Sequence, residues 1–321
     1  MEENKSERLL SLDALRGFDM FWIIGGEGIF HALKAYTGWG WAIWCSNQFE
    51  HVEWNGFHCY DLIFPLFLFL SGVTMPFSLT RQLEKGIPKN NIYMNVFRRA
   101  LLLVFLGIIY NGLKDWNIAH IRFASVLAQI GIAYLFAAII FLNTGWKKQI
   151  YWVAGILIGY WGIQALIDIH QGGTFTQAGS INGFIDRLLL PGKLYLGNHD
   201  PEGILVKIPA TATALLGALT GTFIKNNKMD GVKKTLYMVI AAYLLLGVSL
   251  LWNFILPINK NLWTSSFVLQ TAGWSVYLLA IFYLIIDVLK IKKWSFFFAV
   301  IGMNSITIYM AESLINFSTP V

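Results

Sequence analysis

The sequence is short of charge. Only 13% of its 321 residues are Asp, Glu, Lys or Arg, about half of the roughly 25% carried by a soluble globular chain. That excludes a solvated globular surface, and the same apolar composition excludes disorder, collagen and a long coiled coil. Cysteine is nearly absent: Cys45 and Cys59 are too few and wrongly spaced for a metal framework or a secreted disulfide scaffold, so no metal site is expected. There is no G-x-x-x-x-G-K-[ST] loop, no H-E-x-x-H and no G-x-S-x-G. Phosphate-loop hydrolysis, zincin chemistry and the hydrolase elbow therefore have no support. No repeat of fixed period and no low-complexity tract is visible. The polar start, Met1 to Arg8, leads into an apolar block without a small-residue cleavage site, so that block is expected to stay in the mature protein.

What the chain has is hydrophobic length. It is 56% apolar, with 24 Phe and 13 Trp. The apolar residues gather near 12–33, 60–80, 99–113, 122–142, 150–168, 204–223, 235–254, 265–288 and 295–316, blocks of the size that crosses a bilayer. Only helices satisfy their own backbone hydrogen bonds over so many such segments. The predicted fold is an all-α polytopic transmembrane bundle of about nine spans, a single domain over 1–321. Basic residues occupy the N-terminus (Lys5, Arg8, Arg16) and then every second connection: Arg81 to Arg99, Lys147–Lys148, Lys225 to Lys234 and Lys290 to Lys293. By the positive-inside rule these face the cytoplasm, and the chain is a multi-pass protein of the inner (plasma) membrane, in contact with lipids. The net charge of +6 is thus a topology signal, and no nucleic acid is expected as partner. The loops at about 34–59 and 169–203 face outward, and long ordered loops on a rigid scaffold carry function. Cys45 and Cys59 share that oxidising side, where bonded and free states are both open.

The segment Glu50 to Asp61 packs two His, three carboxylates and Asn55 at the mouth of the second span. If it is helical, His51 and Asn55 lie one turn apart, as do His58 and Asp61. Asp61 directly precedes the apolar run Leu62 to Phe69, where a carboxylate must be paired or functional. In the first span Asp13 and Arg16 form an i,i+3 interfacial pair, whereas Asp19 and Glu27 lie deeper and should face the bundle interior or a wet cavity. Arg98 and Arg99 are either snorkelling anchors or a bidentate clamp for a cytoplasmic phosphate. Arg122 opens the fourth span from outside, against the charge trend, which points to a carboxylate partner or an anion. His199-Asp200-Pro201-Glu202 reads as a helix cap whose acids can also hold a cationic amine.

Several of these stretches recur together in a known order: Arg8 to Gly17, H-x-x-W-N-G at His51 to Gly56, Asp61 to Pro65, Arg98-Arg99 with Gly107-Ile108-Ile109, Ile185 to Leu190, Asp200 to Leu205 and Gly302 to Ile306. Over nearly the whole chain they resemble the heparan-alpha-glucosaminide N-acetyltransferase family, a transmembrane acyltransferase group with many bacterial members. The resemblance implies acetyl-CoA taken from the cytoplasm as co-substrate and an acetyl group delivered to an amino sugar, glucosamine-like, on the opposite face. The family's catalytic histidine stands three residues before W-N-G, the place of His51. Its second active-site residue, an Asn, is replaced by Glu27. Tyr36 to Gln48 reads as an insertion, Leu127-Ala128-Gln129 stands where the family has L-Q-R, and the family continues for at least one further span.

The expected reaction then has His51 as general base, Asn55 as donor to the thioester oxyanion and Asp61 orienting His51. Glu27, Trp54, Asp200 and Glu202 are the expected acceptor contacts, and Arg16, Arg98 and Arg99 those of the CoA phosphates. Direct transfer and an acetyl-His51 intermediate are both open, as is a homodimer. The alternative is a secondary transporter of a sugar or small anion that uses the intramembrane carboxylates as a proton relay; a structural membrane protein is a third reading.

Overall fold

A computed structural model describes residues 9–112, 121–166 and 174–314. Arg8, Lys5, residues 169–173 and the C-terminal residues from 315 lie outside the described residues. The described chain is helical, its one β feature an isolated bridge between Arg122 and Gly192. The helices are α1 (Leu10–Phe21), α2 (Gly28–Thr37), α3 (Gly40–Gln48), α4 (Ile63–Val73), α5 (Met75–Glu84), α6 (Lys89–Gly112) and α7 (Val126–Asn143). They continue with α8 (Trp146–Leu166), α9 (Ile181–Leu189), α10 (Lys207–Lys225), α11 (Gly231–Trp252), α12 (Ser265–Phe282), α13 (Ser295–Met303) and α14 (Ser305–Leu314).

Among the described residues, five helical stretches are long and apolar enough to cross a membrane: Cys59–Glu84, Lys89–Gly112, Val126–Asn143, Gly231–Trp252 and Ser265–Val288. Their burial divides them by position. The stretch Cys59–Glu84 is 72% buried, whereas the apolar windows of α6 and α11 are only 28% and 22% buried. The outward faces of those two helices carry Leu101, Leu102, Phe105, Tyr243, Leu244 and Leu251. Apolar faces of that extent have no stable arrangement in water and suit a lipid environment. At the centre α4 and α10 approach so closely that only glycine fits: a Cβ on Gly217 would lie 2.1 Å from the Phe69 carbonyl oxygen, and one on Gly221 2.2 Å from that of Val73. Small residues let helix backbones pack where lipid offers no hydrophobic drive to association.

Four features differ from the sequence-based expectation. The first block breaks after Phe21 into a π-turn at Trp22–Gly26, because Gly25 takes φ +116°, a conformation other residues avoid. The loop expected at 34–59 is largely the helical hairpin α2–α3, ended at Gly38 (φ 64°) by a left-handed cap and pinned to the π-turn through Trp22, Phe30 and Phe49, the last two stacked at 5.1 Å. The last block is two helices, with the break at Asn304. Helix α6 starts directly after Pro88, so Arg98 and Arg99 lie in its third turn instead of preceding it; the polar residues from Lys89 on simply continue the helix.

Candidate active site

Residues 51–58 are not helical, so His51 and Asn55 are not stacked one helical turn apart as the spacing expects. The chain instead reverses at Gly56, which takes φ +124° and donates its N–H to the Ile258 carbonyl at 2.8 Å. Asp61 then sits in the 3-10 turn Cys59–Leu62, where one carboxylate oxygen caps the turn by accepting the His58 N–H at 3.0 Å. The other oxygen accepts from His51 Nδ1 at 2.7 Å. An ionised carboxylate only accepts, so Nδ1 carries the hydrogen and Nε2 keeps its lone pair. Asp61 is 1% exposed and His51 is 52% exposed, so the acid is a fixed anchor and the imidazole an accessible group.

A third side chain joins them from a distant part of the chain. Lys260 Nζ lies 3.3 Å from the Asp61 oxygen that holds His51, and 3.0 and 3.2 Å from His51 Nδ1 and Nε2. Burial pushes the Lys260 ammonium down, against the opposing charges of Asp61 and Glu202. Sequence reasoning missed this residue. A signal was available: like Arg122, Lys260 is a cation on a connection that the charge alternation expects to be poor in cations.

Arg122 is engaged by carboxylates. Its Nε and Nη2 donate to the two oxygens of buried Asp200 at 2.8 and 2.6 Å, and Nη2 also donates to Glu202. The guanidinium stands 4.6 Å from the Tyr195 ring centroid. Burial pushes the Asp200 carboxyl up, but the hydrogen bonds and charge of Arg122 outweigh this and hold it below the usual carboxylate range. Nearby Asp186 accepts from the backbone of Ile204 at 2.9 Å, yet burial raises it to about 6. Buried His199 donates Nε2–H to the Asn261 carbonyl at 2.8 Å and packs edge-on under Trp54 at 5.7 Å, and burial pushes its imidazole down.

Two cavities meet below this cluster. The upper one, about 290 Å³, is lined by His51, Lys260, Glu27, Glu202, Tyr60, Tyr110 and Tyr309 above an apolar floor. The lower one, about 350 Å³, is lined by Asp13, Arg16, Ser71, Arg99 and Asn304. Phe67, Leu127, Ile130, Ser305 and Ile306 line both, so the cavities abut end to end. Three helices report the same order: α1 passes from Asp13 and Arg16 to Met20, with Glu27 beyond the π-turn that follows, α6 from Arg99 to Tyr110, and α4 from Ser71 through Phe67 to Phe64.

Of the sequence-predicted site residues, His51, Asp61, Glu27 and Glu202 gather at the upper end, and Arg16 and Arg99 at the lower. Arg16 also donates to the Leu70 carbonyl at 3.3 Å, and Arg99 lies over the Tyr134 ring at 4.7 Å. Asn55, Trp54, Asp200 and Arg98 stand outside both cavities. Asn55 Oδ1 accepts from Asn259 at 2.9 Å, Trp54 Nε1 donates to the Phe175 carbonyl at 2.6 Å, and Arg98 is exposed on another face of α6. Cys45 and Cys59 are free thiols. Among the described residues, no group of three His, Cys, Asp or Glu could hold a metal ion.

A family model described as Domain of unknown function (DUF5009) matches residues 8–178. The chain is also similar to the heparan-alpha-glucosaminide N-acetyltransferase of Mus musculus, 27% identical over 373 aligned positions that cover 96% of this chain and 55% of that protein. The Homo sapiens protein of the same name is 27% identical over 371 positions, covering 96% of this chain and 53% of the relative. The chain thus spans about half the length of the curated relatives it matches.

Proposed function

Because the chain belongs to the family described as Domain of unknown function (DUF5009), and resembles N-acetyltransferases over 96% of its length, we propose that it is a membrane-embedded acetyltransferase. It takes acetyl-CoA at the cytoplasmic face and acetylates an amino sugar at the outer face of a plasma membrane. The topology that goes with this reading has nine spans and a cytoplasmic N-terminus, which puts the lower cavity inside and the upper cavity outside.

The observation that carries the proposal is the end-to-end pair of cavities. A cationic mouth at Arg16 and Arg99 suits the CoA phosphates, to which guanidinium groups donate paired, charge-assisted hydrogen bonds. The mostly apolar junction suits the pantetheine arm, and the thioester at its tip then comes up beside His51. Glu27 and Glu202 line the same upper chamber and complement a protonated amine before it is deprotonated. Once that amine has given its first proton to water, His51 Nε2, with its lone pair free of Asp61, takes the second as nitrogen bonds to carbon. An amine attacks only when neutral, and a positioned imidazole suits the transfer at physiological pH. The same tautomer leaves Nε2 competent to carry the acetyl group itself, so both routes are chemically available.

The Arg pair gives a direct test. Replacing Arg16 and Arg99 together by Gln should weaken acetyl-CoA binding by about 10²-fold, since each charge-assisted hydrogen bond contributes about 1.5 kcal/mol or more. The loss should shrink as salt is raised. Arg98→Gln should change binding little, because its side chain leaves the cavity. Equilibrium binding of acetyl-CoA to the purified folded variants decides: unchanged affinity in the double variant contradicts entry at this mouth.

A further inference from the structure

We propose that Lys260 is a catalytic residue of the transfer, donating the hydrogen bond that stabilises the thioester oxyanion. The assignment rests on the acyltransferase reading above.

Geometry singles out this side chain. Nε2 of His51 is the atom that takes the proton of the attacking amine, and Lys260 Nζ stands 3.2 Å from it. An amine bound at Nε2 attacks a carbonyl carbon within bond-forming reach, so the carbonyl oxygen falls within a few ångströms of the same point. Among the described residues lining the upper cavity, Lys260 is the one Lys or Arg. Asn55 does not compete for the role: it is held by Asn259 outside the cavity.

The loop that bears Lys260 is stiff where it must be. Asn259 is fully buried and its Oδ1 accepts the Leu262 N–H at 2.8 Å, while the Trp263 N–H returns to the Lys260 carbonyl at 3.0 Å. Trp263 is wedged between Phe64 and Phe267, at 4.9 and 5.3 Å. A flexible four-carbon stem on a fixed backbone lets the ammonium shift by the small distance the reaction asks for. Lys260 donates to Asp61 at 3.3 Å and lies against the His51 ring, 3.0 and 3.2 Å from its two nitrogens. The ammonium thus stands beside an amine held at Nε2, and a small turn points it to the oxygen on which charge is growing. Preorganised donors aimed at developing charge supply large rate factors.

The step balances without any further reagent. The amine nitrogen forms a bond to the acetyl carbonyl carbon, the C=O electron pair moves to oxygen beneath Lys260, and His51 Nε2 takes the proton from nitrogen. Collapse restores C=O and breaks the C–S bond, and the sulfur that leaves with the electron pair takes the proton back from Nε2. The products are the amide and free CoA thiol.

The test compares acetyl-CoA with its dithioester analogue, in which the carbonyl oxygen is sulfur, a poor hydrogen-bond acceptor. Reconstituted full-length protein is assayed with a panel of amino sugars. Lys260→Met and Lys260→Gln should lower kcat for acetyl-CoA by about 10²- to 10³-fold with little change in acetyl-CoA affinity, which also reports folding. Both variants should lose most of the preference for the thioester over the dithioester, and Lys260→Arg should recover part of kcat. A role in structure alone would slow both esters equally, so an unchanged preference overturns the proposal, as does near-normal kcat in Lys260→Met. Absence of transfer by the unsubstituted protein overturns the acyltransferase reading itself, and the proposal with it.

Discussion

His51→Ala is expected to lose about 10²- to 10⁴-fold in acetyl transfer, the usual effect of removing a general base, while still binding acetyl-CoA. The expectation follows from how the three histidines near the upper cavity are engaged. His51 is exposed to the cavity, and its Nδ1–H is fixed by Asp61 at 2.7 Å, which leaves Nε2 for chemistry. His58 turns its Nδ1 to the Glu50 carbonyl at 2.9 Å, and its backbone serves only to cap the turn that holds Asp61. His199 is buried beneath Trp54 with its Nε2–H given to a backbone carbonyl. Alanine at His58 or His199 should therefore cost far less turnover. Mass spectrometry of protein incubated with acetyl-CoA alone adds the mechanism: a covalent acetyl group that disappears in His51→Ala favours the double-displacement route. Near-normal turnover in His51→Ala contradicts the assignment.

Arg122→Gln should destabilise the fold by about 3–5 kcal/mol, because it strands the buried Asp200 carboxylate without its bidentate partner. The loss has a pH signature. The folded-state pKa of Asp200 is depressed, so its contribution is present above the usual carboxylate range and disappears as pH falls through the folded value. The gap between the original protein and Arg122→Gln should thus be widest near neutral pH and narrow in acid. Asp186 runs the other way: raised to about 6, it contributes stability at low pH that is lost as pH rises through that value. Since Asp186 is present in both proteins, that trend cancels from the difference. Thermal unfolding in detergent at several pH values reads the effect. A variant of unchanged stability that fails only in substrate binding would instead make Arg122 an anion site.

Much of the architecture is legible as composition and charge order. The block expected at 122–142 is the helix Val126–Asn143, and the run after Asp61 is the most buried stretch of the membrane-crossing candidates. Helical breaks were less visible. Two glycines in the first block look alike in sequence, and only the backbone of Gly25 turns them into a π-turn that sets Glu27 at the cavity. The hairpin α2–α3 hid because Trp and Gly read as loop composition, whereas aromatic stacking on Trp22 stabilises two short helices there. Within the site, contacts near in sequence could be anticipated in kind, such as an acid beside His51. Lys260 could not be placed there from spacing, since 209 positions separate it from His51 and a tertiary turn at Gly56 and Ile258 brings the two loops together. The divergence of Arg98 from Arg99 is likewise a matter of helical phase, which appears only once the start of α6 at Lys89 is known.

The central claim, that an acetyl group passes from one face of the membrane to an amine on the other, is tested most directly in sealed proteoliposomes. Acetyl-CoA carrying a labelled acetyl group is enclosed with the cytoplasmic face of the protein, and an amino sugar is supplied only at the opposite face. The account predicts labelled N-acetyl sugar in the compartment that never held CoA, with an equal amount of CoA thiol retained in the other. Label appearing only when both substrates share one compartment, or sugar crossing unmodified without release of CoA thiol, would contradict it.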